Sequence, residues 1–332
     1  MIIVTGGAGL IGSALVWHLN GQGRHDIVIV DHLGTSEKWR NLRALRYHDY
    51  YEKDAFLSLL AKGELPWRVD AIFHLGACSD TTETSASYLV DNNFAYSRAL
   101  AEYAASQGIR MVYASSAATY GDGECGFLDD EAGLHRLRPL NKYGYSKQMF
   151  DQWLAARGWL AGPLPTGASF VGLKYSNVFG PNEAHKAHMR SMVLRAYEQI
   201  VAEGQVRLFK SYRPQYRDGE QVRDFLYVKD AAAMTAFFLE NPVPCGIFNI
   251  GYGATRSWND LARAVFAALG RPSAIEYIEM PEELRPRYQY HTCLDISKIR
   301  QAGFQASLLT LEAAANDYVK QYLIPGRHLG DE

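Results

Sequence analysis

Cysteine is scarce in this sequence. Cys78, Cys125, Cys245 and Cys293 are its four cysteines in 332 residues, and no two stand in CxxC spacing. That excludes a disulfide framework and a cysteine-built zinc site, and it fits a reducing compartment. Long apolar runs are also missing: none approaches the ~20 residues a membrane span needs. Neither sign of charge dominates, with 34 Lys and Arg against 36 Asp and Glu. A net charge of -2 supplies no field for nucleic acid or an anionic membrane. The opening residues MIIVTGG carry no basic leader, so a cytoplasmic protein is expected. With 48% hydrophobic and 21% charged residues, the chain has the composition of a soluble globular protein, one large domain or two ordinary ones.

What is present begins with the first strand. Ile2 to Thr5 is a short β-branched run suited to burial on both faces, and it leads into GGAGLIG and then a helical pattern, SALVWHLNGQG. Gly6, Gly9 and Gly12, with Leu10 and Ile11 among them, form a turn in which backbone can approach a pyrophosphate at a helix N-terminus. Such a motif alone is weak. Here a second strand, Ile27 to Val30, answers it and ends in Asp31, where a dinucleotide-binding fold meets the adenosine ribose. Asp31 alone favours NAD, because a carboxylate accepts the ribose 2′-hydroxyl and repels a 2′-phosphate. Lys38, Arg40 and Lys53 could neutralise that phosphate, so the residues leave NAD and NADP open.

Strands and helices keep alternating. DAIFH (70–74) reads as a strand ending at GACSD, Tyr88 to Gln107 as a long helix, and Met111 to Ser115 as a strand running into SSAATYG. The fold class expected is α/β: a Rossmann-type doubly wound parallel sheet with a smaller, interleaved α/β substrate domain. Residues 1–168, with returning segments over about 222–252, should hold the dinucleotide; 169–221 and about 253–325 should hold the substrate. NKYGYSK (141–147) then opens a helix with an apolar stripe at Met149, Phe150, Trp153 and Leu154. Residues four apart share a helix face, so Tyr143 and Lys147 point together and Tyr145 does not. A phenol with an ordinary pKa of about 10 is a poor base. A nearby ammonium, together with the positive ring of an oxidised nicotinamide, is expected to pull that pKa down, so that the phenolate can take a hydroxyl proton as the carbon gives up hydride. Ser116, at the strand end, could bond the same oxygen.

Taken together, GGAGLIG, Asp31, GACSD, SSAATYG and YGYSK resemble the extended short-chain dehydrogenase/reductases that act on nucleotide sugars. That resemblance spans the chain and implies Ser116, Tyr143 and Lys147 as the catalytic triad, with Lys147 also holding the cofactor's ribose. Sugar dehydratases of this branch carry an acidic pair after the strand-end hydroxyl, where this chain has Ala117 and Ala118, so epimerisation is the expected chemistry. KYSNVFGPNEAHKAHMRSM (174–192) narrows the resemblance to the family of ADP-heptose 6-epimerases, which serve the lipopolysaccharide inner core. It implies NADP, with NAD possible, placed by Asp31, His32, Lys38, Lys53, Leu75, Gly76, Ala77, Cys78, Ser79, Asn92, Lys147, Val178 and Lys186. It implies a nucleotide sugar, ADP-heptose, placed by Ser116, Asn177, His188, Arg195, Phe209, Lys210, Ser211, Arg223 and Tyr288. Lys186 would be a second acid/base, and the family is homo-oligomeric, with pentamers. His188 stands where some members have serine, and the loop KSYRPQYRDGEQVRDF is longer than in some relatives.

Three further expectations concern the second half. Met189 to Glu203 should be helical. Arg190, Arg195, Arg207, Lys210, Arg213, Arg217 and Arg223 suggest a diphosphate pocket, about half of them being a solvated rim. His185 and His188 have a spacing that could bring two imidazoles together, but Gly180-Pro181 upstream suggests a loop, and without a third ligand no metal is expected. The alternatives are a UDP-hexose 4-epimerase, or a redox-sensing dinucleotide-binding module without chemistry, which could dispense with the Tyr–Lys pair.

Overall fold

The structure, a computed structural model, describes residues 1–241, 244–285 and 288–331. Its centre is a seven-stranded parallel sheet: β1 (Ile2–Thr5), β2 (Ile27–Asp31), β3 (Asp49–Glu52), β4 (Ala71–His74), β5 (Arg110–Ser116), β6 (Ser169–Tyr175) and β11 (Gly246–Ile250), in the order β11-β6-β5-β4-β1-β2-β3. Between β6 and β11 the chain also forms β7 (Asn177–Phe179), β8 (Val206–Phe209), β9 (Val222–Arg223) and β10 (Phe225–Tyr227). Every residue of β1, β2, β4, β6 and β11 is buried, as a sheet covered on both faces requires. The order reverses between β1 and β4, and ligands of such sheets lie at that switch point, beyond the strands' carboxyl ends.

The helices that cover the sheet are α1 (Leu10–Gly21), α2 (Lys53–Lys62), α3 (Ala86–Leu89), α4 (Tyr96–Gln107), α5 (Lys142–Ala156) and α7 (Val228–Glu240). Between α3 and α4 the chain stays helical through a π-segment, Val90–Ala95, so the long helix expected from Tyr88 is a composite. Asn93 within it bonds the Cys78 backbone through both side-chain atoms and donates to the Ser146 hydroxyl, tying this helix to the loop after β4 and to α5. Wide turns of this kind often sit at functional sites.

The sheet runs past residue 168. β6, counted from sequence with the substrate region, pairs with β5 from Arg110↔Ser169 to Ser116↔Tyr175 and with β11 on its other side. Its run SFVGLKY is buried throughout between these two neighbours. The second region holds α6 (Met192–Glu203), α8 (Trp258–Ala268) and, beyond α9 (Ser297–Gln301), α10 (Leu311–Asp317). These pack around Val193, Leu194, Leu261, Val265, Phe266 and Tyr318. Strand pairs β7–β10, β9–β12 (Arg256–Ser257) and β8–β13 (Ile275–Ile278) flank them. The helix expected from Met189 starts at Met192, because Ser191 caps it by accepting from the Leu194 N–H; residues 184–189 form a 3₁₀ turn instead.

One late segment returns to the first helix. Leu329 is fully buried against Leu10 and Ala14 of α1 and Val228 and Ala232 of α7. Its N–H donates to Asn182 Oδ1 at 3.0 Å, while Asn182 Nδ2 donates to Ser13 Oγ at 2.9 Å. Asn182 has φ +74°, a left-handed conformation that asparagine tolerates better than most residues. Among the described residues no helix is long and apolar enough to cross a membrane.

Candidate active site

The glycine turn is shaped for close approach. Gly6 has φ +69°, and a Cβ on Gly12 would meet the Gly6 carbonyl at 2.1 Å, so β1 and α1 can join this tightly only without side chains. The turn lines a cleft of 690 Å³ that also takes in Leu10 and Ile11, the loop Leu75–Ser79, Asp31, His32, Lys38, Ser116, Tyr143, Lys147, Val178, Lys186 and His188. A cradle bare of Cβ atoms at a helix N-terminus suits a pyrophosphate, so the residues present fit a dinucleotide.

Asp31 is already engaged. Its Oδ2 accepts from the Ala8 N–H at 2.8 Å; its Oδ1 accepts from the His32 N–H at 2.7 Å and from Lys38 Nζ at 2.7 Å. Asp31, His32, Lys38, Lys53 and Asn92 together line a recess of 190 Å³, in which Lys53 Nζ donates to Asn92 Oδ1 at 2.7 Å. Arg40, expected nearby, instead pairs with Glu37 on the surface.

At the cleft floor, Ser116 closes β5 and Tyr143 lies in the first turn of α5. Asn141 caps that helix by accepting from the Gly144 N–H at 2.8 Å. Gly144 is required here: a Cβ would meet the Ala118 carbonyl at 2.8 Å, so glycine lets α5 lie directly on the loop after Ser116. Lys147, buried, donates to the Ala114 carbonyl at 2.9 Å, whereas Tyr145 is 55% exposed. Burial pushes the Tyr143 phenol above its ordinary value, and the hydrogen bond from Ser116 only partly offsets that. Burial also lowers Lys147 itself to about 8, and one of its ammonium N–H groups is held by a backbone carbonyl.

A second cavity of 590 Å³ adjoins the first, and Ser176, Val178, Lys186 and Met189 line both. Asn177, Arg195, Phe209 and Tyr288 line the second alone. Burial lowers the Lys186 ammonium, partly offset by Glu183. Glu183 is itself fully buried and accepts from Ser191 through both its N–H and its hydroxyl. His188 faces the other way, toward Asp80 and Thr82, while His185 meets Asn41, so the two imidazoles diverge.

Several expected substrate contacts are placed elsewhere. Lys210 pairs with Glu279 at 2.7 Å, and Ser211 closes a turn with Asp218 and Arg213; neither lines the cavity. Arg223 stands behind its wall, over the Trp258 and Tyr288 rings at 5.5 and 5.3 Å, and donates to the Gln289 carbonyl. Arg190 and Arg207 reach the cavity but pair with Glu198 and with Glu203 and Glu276. The sequence did not point to Trp258, whose Nε1 donates to Tyr288 OH at 2.9 Å and whose ring lines the cavity. It did not point to Ser176 or Met189 either. A lone tryptophan opening an apolar helix reads as core, and no local pattern marks it otherwise.

A family model, that of the NAD dependent epimerase/dehydratase family, matches residues 2–251. The ADP-L-glycero-D-manno-heptose-6-epimerase of Nitratidesulfovibrio vulgaris (strain DP4) is 53% identical over 323 residues, covering 97% of this chain and 98% of that one. Its counterpart of the same name in Fusobacterium nucleatum is 47% identical over 331 residues, covering 97% and 98%. Among solved structures, the Helicobacter pylori ADP-L-glycero-D-manno-heptose-6-epimerase superposes with a TM-score of 0.79 at 28% identity, covering 96% and 95%. The glycine turn at the switch point, the strand-end serine, the Tyr143–Lys147 face and these matches agree: the chain belongs to the NAD dependent epimerase/dehydratase family.

Proposed function

We propose that this protein interconverts ADP-D-glycero-D-manno-heptose and ADP-L-glycero-D-manno-heptose by inverting C6, with NADP along the first cavity and the sugar nucleotide in the second. The observation that carries this reading is the shared wall: Ser176, Val178, Lys186 and Met189 face both cavities, with Ser116, Tyr143 and Lys147 in the first. The heptose and the ADP group come from the relatives' names, since no side chain here selects them by itself.

Gly6, Gly9 and Gly12 would hold the pyrophosphate and Lys147 the nicotinamide ribose. Lys38 already neutralises Asp31, and Lys53 lies in the same recess, which supports NADP over NAD. The bound cofactor would supply a hydride acceptor that later returns the hydride, so the reaction has no net redox change. Tyr143, as phenolate, takes the C6 hydroxyl proton while Ser116 donates to the same oxygen. Burial holds this phenol up, and an oxidised nicotinamide would supply a positive charge that favours its ionisation. Lys186, on the wall between the cavities, exchanges the proton when the sugar presents its other face. Ala117 and Ala118 offer no group for eliminating water.

The test is to incubate purified protein with ADP-D-glycero-D-manno-heptose and resolve the C6 epimers. Turnover without added cofactor is expected, falling by roughly 10²–10⁴ in Tyr143→Phe. Lys186→Ala should lose turnover while retaining NADP. Turnover of UDP-galactose in place of the heptose would transfer the assignment to the hexose 4-epimerases.

A further inference from the structure

Behind the cleft floor lies a buried ion pair that the mechanism above does not use. Asp151 on α5 and Lys174 on β6 meet at 2.7 Å, with side chains 0% and 1% exposed. Asp151 Oδ1 accepts from Tyr113 OH at 3.0 Å, and Oδ2 accepts from Ser115 Oγ at 2.7 Å; both donors are on β5. Lys174 Nζ also donates to Thr119 Oγ1 at 2.6 Å and lies 5.1 Å from the centre of the Tyr120 ring. Thr119 Oγ1 in turn donates to the Ser116 carbonyl at 2.7 Å. The pair therefore has a hydrogen-bonded path to each side of the catalytic floor. One end grips α5, a helical turn past Lys147 and two past Tyr143. The other reaches the backbone of Ser116.

A buried ion pair is weak as a source of stability. Apolar residues of similar volume often serve as well or better, whereas removing one partner is costly. What a satisfied polar network adds is a fixed geometry. We propose that Asp151 and Lys174 are positioning residues for the epimerase reaction, clamping α5 to the end of β5 so that Tyr143 and Lys147 stay in register with Ser116. This rests on the assignment of those three residues above.

Charge gives the clamp a second effect. Around Lys147 stand Asp151 and Tyr143 on its own helix, His74 on β4, Cys78 on the loop after β4, and Lys174 on β6 beyond Asp151. Burial keeps His74 neutral at ordinary pH, lowering it to about 3, and keeps the Cys78 thiol protonated by raising it. Of the groups that support a charged Lys147, Asp151 contributes most, ahead of Cys78.

The experiment compares three variants of the full chain. Tyr143→Phe tests the underlying assignment: if it turns over normally, the catalytic triad fails and the clamp with it. Thr119→Val keeps side-chain volume and removes the link to Ser116. It should fold, bind the nucleotide sugar with KM within about twofold, and lose roughly tenfold in kcat, since small misplacements at a reacting centre are costly. Asp151→Asn should lose more in kcat and move the basic limb of its pH profile to lower pH, because Lys147 then gives up its proton sooner. A purely structural pair would lower the melting temperature and leave both KM-independent readouts unchanged. If Tyr143→Phe is inactive while folded Thr119→Val keeps the parent kcat, the clamp is overturned and the triad stands. Should Asp151→Asn not fold, Thr119→Val alone decides.

Discussion

Lys147 shows how one side chain can serve catalysis against stability. Its ammonium is buried, and its pKa falls from 10.5 to about 8. A depressed lysine pKa means that, between those values, the unfolded chain binds more protons than the native one, so the native state gains as pH rises through about 8 toward 10.5. Below about 8 the cost of holding the charge is present in full, about 3 kcal/mol. Lys147→Met should therefore abolish turnover yet raise the melting temperature at pH 7, with the gain shrinking from about pH 8 upward and smaller at pH 9. Differential scanning calorimetry at the two pH values checks this, and a loss of stability at pH 7 contradicts it. The Tyr143–Lys147 face was legible from the four-residue spacing alone. The upward push of burial on the phenol was not, because it depends on how deeply α5 sits against β5, which Gly144 sets and no spacing reveals.

The segment around Lys186 carries local strain. Ala187 has φ +48° and ψ -119°, a combination that only glycine adopts readily, in the turn that places Lys186 on the shared wall. Such a residue costs about 1–3 kcal/mol and persists only when its surroundings hold it. Here Glu183 and the capped start of α6 hold one end, and Asn182, bonded to Ser13 and Leu329, holds the other. Ala187→Gly should keep its melting temperature within a few degrees. Ala187→Val should lose at least about 1 kcal/mol and much of kcat, since the turn must open and move Lys186. Equal stabilities and rates for the two variants would count against strain. From sequence, Gly180-Pro181 marked this stretch as a loop. Its conformation was hidden, because nothing about alanine announces a positive φ.

Across the whole molecule, strands of four to seven apolar residues were plain, and so was the parallel order that their alternation with helices dictates. The edge strand β3 (DYYE), half-exposed and polar, was missed, as were β9 and β12, two residues each. Pairings this short arise only once distant segments meet. The clasp at Leu329 is of the same kind: a leucine among His, Gly and Asp has no periodicity to betray it. Leu329→Ala should cost about 2–4 kcal/mol. If the clasp steadies α1, it should also speed loss of the dinucleotide, followed by fluorescence after dilution; an unchanged off-rate would separate packing from binding.

That clasp sets an order of events during synthesis. The nucleotide cradle is synthesised long before Leu329, the residue that closes over its helix. Until it arrives, Leu10 and Ala14, though joined by Val228 and Ala232, lack the side chain that completes their cluster. Nascent chains should thus engage chaperones at α1 and load their dinucleotide only after release, and a premature stop upstream of Leu329 should yield protein that emerges empty.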